Sequence, residues 1–192
     1  MNEGESMNLY IFDCFGVVVS DVSTLWMKNY FTEEEQECIR REVYRKLDCG
    51  ILPFAEVFEV LAKRAGISAE EVRREWDNNM FLKQDTVEFI DQLRQAGHKV
   101  VLLSNAAREY VDELFTQYDL YKHFDKIFVS SCYGFAKPDR EFYQICLDGC
   151  TETYQNIYFT DDNPVNLAGL ETLGITPVLF TDVESLKKTL GF

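Results

Sequence analysis

The stretch Leu9–Val19, LYIFDCFGVVV, decides how the rest of this chain is read. It is an apolar run, rich in β-branched and aromatic residues, that carries one carboxylate, Asp13, and then Gly16. A short continuous apolar run of this kind reads as a central strand of a parallel sheet, buried on both faces. Asp13 falls where that strand should end, and open α/β sheets bind ligands beyond the carboxyl ends of their strands. Alone, an Asp before a Gly-containing loop also serves as a simple turn residue.

Working outward, 192 residues with 46% hydrophobic content suffice for one domain, or for a domain carrying an insertion. No apolar stretch is long enough to span a bilayer. The opening MNEGESMN is polar and acidic, unlike a secretory or basic transit leader, and Met7 is an alternative start. A net charge of −14 without a basic stripe speaks against nucleic acid or an anionic membrane as partner. It also means that an anionic substrate needs a local cation or metal in order to enter. The six cysteines (Cys14, Cys38, Cys49, Cys132, Cys146, Cys150) form no CxxC pair. They read as packing thiols of a reduced, cytoplasmic protein.

The stretch 20–83 shows helices and no strand. Thr32 and Glu35 stand at capping-box spacing and open a helix to about Leu47, which ends in Asp48-Cys49-Gly50. Pro53 starts another, with Phe54, Val57, Phe58 and Leu61 on one face, stopping at Gly66. Ser68 and Glu71 repeat the capping-box spacing for a third helix that carries Trp76. So long a helical block is more than a crossover and reads as a cap domain (20–83) inserted into a core made of 7–19 and 84–192.

From Thr86 onward helix and strand alternate. The expected strands are Lys99–Ser104, Lys126–Ser131, Asn156–Thr160 and Thr176–Phe180; the expected helices end at Gly97 or cover Ala107–Tyr118, Arg140–Leu147, Val165–Leu173 and the segment from Val183. This rhythm predicts an α/β fold with a doubly wound parallel sheet. Four polar clusters then sit at strand ends: Asp13, Ser104-Asn105, Lys137-Pro138 and Asp161-Asp162-Asn163. In a parallel sheet they converge on one edge. Two acidic sites there suit magnesium, a hard cation with oxygen ligands. A Ser ahead of a helix N-terminus suits an anion, and Lys137 adds positive charge. A carboxylate facing these groups is the arrangement for nucleophilic attack on phosphorus. Singly, each cluster has an ordinary role as helix cap, solvated lysine or first-turn acid.

These four segments resemble the haloacid dehalogenase superfamily, in the subgroup with a helical cap after the first strand. IFDCFGVVV matches its first motif, VVLLSNAA the second, GFAKPDREFY the third and IYFTDDNPVNLAGLETLGI the fourth. The chain is most similar to small bacterial sugar-phosphate phosphatases with FDLGNV and FFDDN motifs. The resemblance implies a magnesium-dependent phosphatase for a small phosphorylated metabolite. It makes Asp13 the nucleophile and a metal ligand, with the Phe15 backbone carbonyl and Asp162 as further ligands and Asp161 ordering metal-bound water. Ser104 and the Asn105 backbone would hold the phosphoryl group, and Lys137 would bridge it to Asp13. Phe15 departs from the usual pattern, which has an Asp general acid–base there; phenylalanine moves no proton. Dehalogenases resemble the chain at that position, so a metal-independent 2-haloacid dehalogenase is the rival, and a binding protein on a decayed scaffold is the third reading. Substrate choice is expected around Ser20–Trp26 and Asp48-Cys49-Gly50. Trp26, Tyr44 and Trp76 are candidates for substrate contact or for core packing. His98 and His123 belong to no motif.

Overall fold

The computed structural model describes residues 7–192, so most of the polar opening lies outside the described residues. Its strands are β1 (Leu9–Phe12), β2 (Lys99–Ser104), β3 (Lys126–Val129), β4 (Ile157–Asp161) and β5 (Thr176–Leu179). They form one parallel sheet in the order β3-β2-β1-β4-β5. Phe12 lies beside Leu102 and Thr160, so Asp13 emerges at the centre of the sheet, between the ends of β2 and β4.

Alternation along β1 divides the core into two layers. Tyr10 and Phe12 pack with Val100 and Leu102 under α6 (Gln84–Gln95), α7 (Arg108–Gln117) and α9 (Val183–Leu190). Leu9 and Ile11 pack with Val101, Leu103 and Phe159 under α8 (Arg140–Gly149). All four β1 residues are at most 2% exposed, which explains a run with no polar face. Each such side chain contributes about 1.5–3 kcal/mol by leaving water. The expected doubly wound parallel sheet is therefore the observed fold.

Between β1 and α6 the chain forms helices and no further strand: α1 (Val22–Met27), α2 (Glu33–Ile39), a π-helical turn (Arg40–Tyr44), α3 (Arg45–Asp48), α4 (Phe54–Ala65) and α5 (Ala69–Asn79). Thr32 makes both bonds of its capping box with Glu35. At Ser68 the hydroxyl accepts from Glu71 N, but the Glu71 carboxylate turns to Arg74 at 2.9 Å. Gly66, at φ +72°, ends α4 in the left-handed conformation that glycine takes freely. The insertion leaves and re-enters the sheet layer side by side: Ser20 N donates to Phe81 O, and Lys83 N to Val18 O, both at 2.9 Å.

Two expected elements differ. The helix expected over Val165–Leu173 is a pair of 3-10 turns, Pro164–Leu167 and Leu170–Leu173. Extended Ala168 and Gly169 at φ +75° interrupt the helical path between them. The strand expected to reach Ser131 stops at Val129, because Ser130 turns inward and its hydroxyl accepts from Ala106 N at 3.0 Å.

Candidate active site

A cleft of about 880 Å³ opens between the carboxyl edge of the sheet and the helical insertion. Asp13, Asn105, Lys137 and Asp162 line it from the sheet side, and Arg40, Tyr44, Asp48 and Trp76 from the insertion.

At its floor, Lys137 Nζ stands 2.8 Å from Asp13 Oδ1 and 2.7 Å from Asp161 Oδ2, completely buried. Its backbone is fastened by Asn105, whose Oδ1 accepts from Lys137 N and whose Nδ2 donates to Lys137 O, at 2.8 and 2.9 Å. The Lys137–Pro138 peptide bond is cis. Asp161 is fully buried beneath Asp13; it accepts from Asn166 Nδ2 at 3.0 and 3.1 Å and from Asn163 N at 2.8 Å. Asn166 is fixed in turn, its carbonyl accepting from the Tyr143 hydroxyl at 2.7 Å. Asp161 is thus saturated by protein donors, whereas Asp162 is partly exposed at the cleft.

Burial pushes the Asp13 carboxyl well above the usual range, and the Asp161 charge adds to it, against the pull of Lys137. Burial also pushes Asp162 up to about 6, helped by Asp161 and Asp21. On Lys137 burial works against the charge, but Asp13 and Asp161 more than offset it and hold its pKa up. One buried lysine among three carboxylates leaves an excess of negative charge.

Carboxylate oxygens of Asp13, Asp161 and Asp162 all lie within 4.8 Å of one another. That donor set fits a hard divalent cation. The turn after β1 is shaped for it. Gly16 sits at φ +86°, and a Cβ there would come within 2.1 Å of Asp162 Oδ2. Gly16→Ala is therefore expected to cost about 2 kcal/mol from backbone strain and displaced carboxylate, read as a fall in melting temperature of roughly 4–8 °C. An unchanged melting curve would contradict this account of the turn. The Phe15 carbonyl accepts no hydrogen bond among the described residues.

Not every expected site residue lines the cleft. Ser104 is completely buried below the floor, and its hydroxyl has no hydrogen-bond partner among the described residues. Cys14 is also fully buried, and burial raises its thiol pKa. Trp26 is enclosed among the insertion helices and donates to Glu75 at 3.1 Å; Trp76 and Tyr44 reach the cleft wall. His123 pairs with Asp91 at 2.7 Å, away from the cleft. Two cleft residues carried no sequence signal of their own. Tyr110 on α7 stacks on the Phe15 ring (centroids 5.7 Å apart, planes 9° apart) and accepts from Trp76 Nε1 at 2.7 Å. Arg45 on α3 donates to the Ala136 carbonyl at 3.0 Å and pairs with Asp139, docking the insertion on the Lys137 loop.

The sequence pattern of the haloacid dehalogenase-like hydrolases matches residues 7–174. This chain belongs to that family. It is 26% identical over 160 residues to drimenol cyclase drtB of Aspergillus calidoustus, a match covering 80% of this chain and 30% of that protein. It is 22% identical over 147 residues to sesquiterpene phosphatase astK of Aspergillus oryzae, covering 75% of each. The chain thus spans under a third of drtB but three quarters of astK. Among solved structures it is similar to the family enzyme BT-2542 of Bacteroides thetaiotaomicron, with a TM-score of 0.75, 18% identity and coverage of 97% and 99% of the two chains. That enzyme has also been solved with magnesium and inorganic phosphate (TM-score 0.70, 17% identity, 91% and 94% covered). The L-2-haloacid dehalogenase of Xanthobacter autotrophicus shares the fold at a TM-score of 0.64 and 18% identity, over 96% of this chain and 82% of that one.

Proposed function

We propose that this chain is a magnesium-dependent phosphatase acting on a small phosphorylated metabolite, of sugar-phosphate type, through an aspartyl-phosphate on Asp13. One observation carries the reading: Asp13 shares Lys137 with Asp161 while Asp162 completes a three-carboxylate cluster at the floor of the cleft. Asp13, Asp162 and the Phe15 carbonyl would hold magnesium, with Asp161 behind them. When bound, magnesium supplies positive charge for the phosphoryl oxygens. The phosphatase name of astK and the magnesium and phosphate in the BT-2542 structure support the same reading.

In this scheme Asp13 attacks phosphorus and the bond to the leaving oxygen breaks. Lys137 is fixed at both its backbone and its Nζ, so it stabilises the equatorial charge without reorganising. The Asn105 backbone would hold the phosphoryl group in line, and the unpartnered Ser104 hydroxyl would join it through a shift of the cleft floor, below which it lies. Water then hydrolyses the aspartyl-phosphate and regenerates Asp13. The helical block 20–83 acts as a cap over this edge, and its residues choose the substrate. Six unpaired thiols suit a reduced, cytoplasmic setting, and no described helix is long and apolar enough to cross a membrane.

Phosphate release from a panel of sugar phosphates and an aryl phosphate tests the reading. Turnover is expected with magnesium, a loss of about 100-fold or more with chelator, and recovery when magnesium is returned. Phe15 favours a second reading, hydrolytic dehalogenation, since it removes the proton donor that phosphate esters need. Halide release from 2-haloacids that ignores chelator would establish that rival instead. Phosphate binding without either turnover would leave the scaffold a binding protein.

A further inference from the structure

Hydrolysis of an alkyl phosphate needs a proton for the departing oxygen, and position 15 holds a phenyl ring stacked on Tyr110. The helical insertion brings an acid of its own to the same cleft. Asp48 is the last residue of α3 and lines the cleft together with Asp13, Phe15, Asn105 and Lys137. Both of its flanks are pinned to the core. Arg45, three residues before it, holds the Ala136 carbonyl and Asp139. Gly50, two residues after it, sits at φ +70° so close to the Ser131 carbonyl that a Cβ would come within 2.7 Å. These two anchors fix Asp48 against the Lys137 loop.

The Asp48 carboxylate forms no hydrogen bond or ion pair among the described residues. The cations near it are committed elsewhere, Arg45 to Asp139 and Lys137 to Asp13 and Asp161. Lys137 and Arg45 act on its charge, Tyr44 and Cys49 neighbour it on its own helical run, and Asp13, Asp139, Asp162 and Tyr110 line the same cleft. Burial pushes its carboxyl up to about 7, against the opposing pull of Lys137 and Arg45. A proton donor works best with a pKa near the operating pH.

We propose that Asp48 is the general acid and base of this hydrolase, supplied by the insertion in place of the core residue that Phe15 replaces. The inference rests on the phosphatase reading above. As an Asp13 oxygen bonds to phosphorus and the ester P–O bond breaks, protonated Asp48 gives its proton to the leaving oxygen. The resulting carboxylate takes a proton from the water that attacks the aspartyl-phosphate. Inorganic phosphate leaves, and both carboxyl groups return to their starting states.

The test compares wild type and Asp48→Asn, both loaded with magnesium, on an alkyl phosphate (glucose 6-phosphate) and on 4-nitrophenyl phosphate, whose leaving group departs without a proton. For the alkyl ester kcat/KM should fall about 100-fold or more, the worth of a general acid. For the aryl ester it should fall less than about tenfold, with a burst of nitrophenolate as the undeprotonated water leaves aspartyl-phosphate to accumulate. Wild-type kcat/KM for the alkyl ester should decline as pH rises through about 7, where Asp48 loses its proton; that limb should be absent from the Asn variant. Asp48→Glu should recover much of the alkyl rate and the limb. Equal losses on both esters, with the limb retained, would overturn the assignment of Asp48 while the phosphatase reading stands. Wild type releasing phosphate from neither ester would overturn both. A melting curve on each variant separates lost chemistry from lost folding.

Discussion

Replacing Asp13 by asparagine is expected to lower magnesium-dependent phosphate release by at least about 10³-fold without unfolding the protein. Removing a nucleophile costs an enzyme nearly all of its covalent catalysis, because binding and charge stabilisation alone recover only a remnant. The geometry makes the isosteric change mild for the fold. Asp13 is buried, and burial together with the Asp161 charge already disfavours its ionised form. Asparagine removes that repulsion while its Oδ1 can still accept from Cys14 N, a bond of 2.6 Å in the native site. Lys137 keeps Asp161 as its partner at 2.7 Å. The melting temperature should therefore stay within a few degrees of wild type or rise slightly. Residual phosphate release above about 10% of wild type would sink the assignment of Asp13 as nucleophile. Acid-quench trapping of labelled phosphate on wild type, absent from the Asn variant, checks the same atom directly.

Much of this site was legible before any fold was known, for a definite reason. β1, β2 and β4 are the three inner strands of the sheet, so they appear as short, largely apolar runs that end in polar residues. Parallel pairing then brings Asp13, Asn105 and Asp161 to one edge whatever the intervening length. Lys137, beyond the end of β3, required only that its loop fold back, which the two Asn105 bonds accomplish. The less legible parts depend on contacts that no local pattern records. α1 is six residues long, too short to show a periodicity, and it rests on the Asp21 side chain accepting from Thr24 N. The π turn at Arg40–Tyr44 leaves no mark on apolar spacing over its five residues. The Val165–Leu173 segment carries a helix-like pattern, but extended Ala168 and Gly169 at positive φ divide it into separate 3-10 turns. The setting of Asp48 was the least readable, since it depends on Arg45 meeting Asp139 and Gly50 meeting Ser131 across a long stretch of chain.

Lys137→Met should destabilise the fold more than Gly16→Ala does. Its ammonium is the only cation within hydrogen-bond reach of Asp13 and Asp161 among the described residues, and it is wholly buried, with the Phe159 ring 5.1 Å away on one side. Methionine fills a similar volume but leaves two adjacent carboxylates with no opposing charge. Breaking a buried pair by removing one partner costs about 3–5 kcal/mol. For a domain of this size that corresponds to a fall of roughly 6–20 °C in melting temperature. Asp161→Asn in the same chain removes one of the stranded charges, so the double variant should be more stable than Lys137→Met alone, a coupling of contacting residues rather than an additive loss. Magnesium should narrow the gap further by binding the folded state of the single variant. Thermal melts of wild type, both single variants and the double variant, with and without magnesium, read all of this. If the double variant melts at or below Lys137→Met, the lysine is not neutralising the carboxylate cluster, and its place in the chemistry falls as well. If the double variant recovers stability while phosphate release stays lost, the two roles of Lys137 separate: charge balance can be restored by deleting an acid, but the stabilisation of the phosphoryl oxygens cannot.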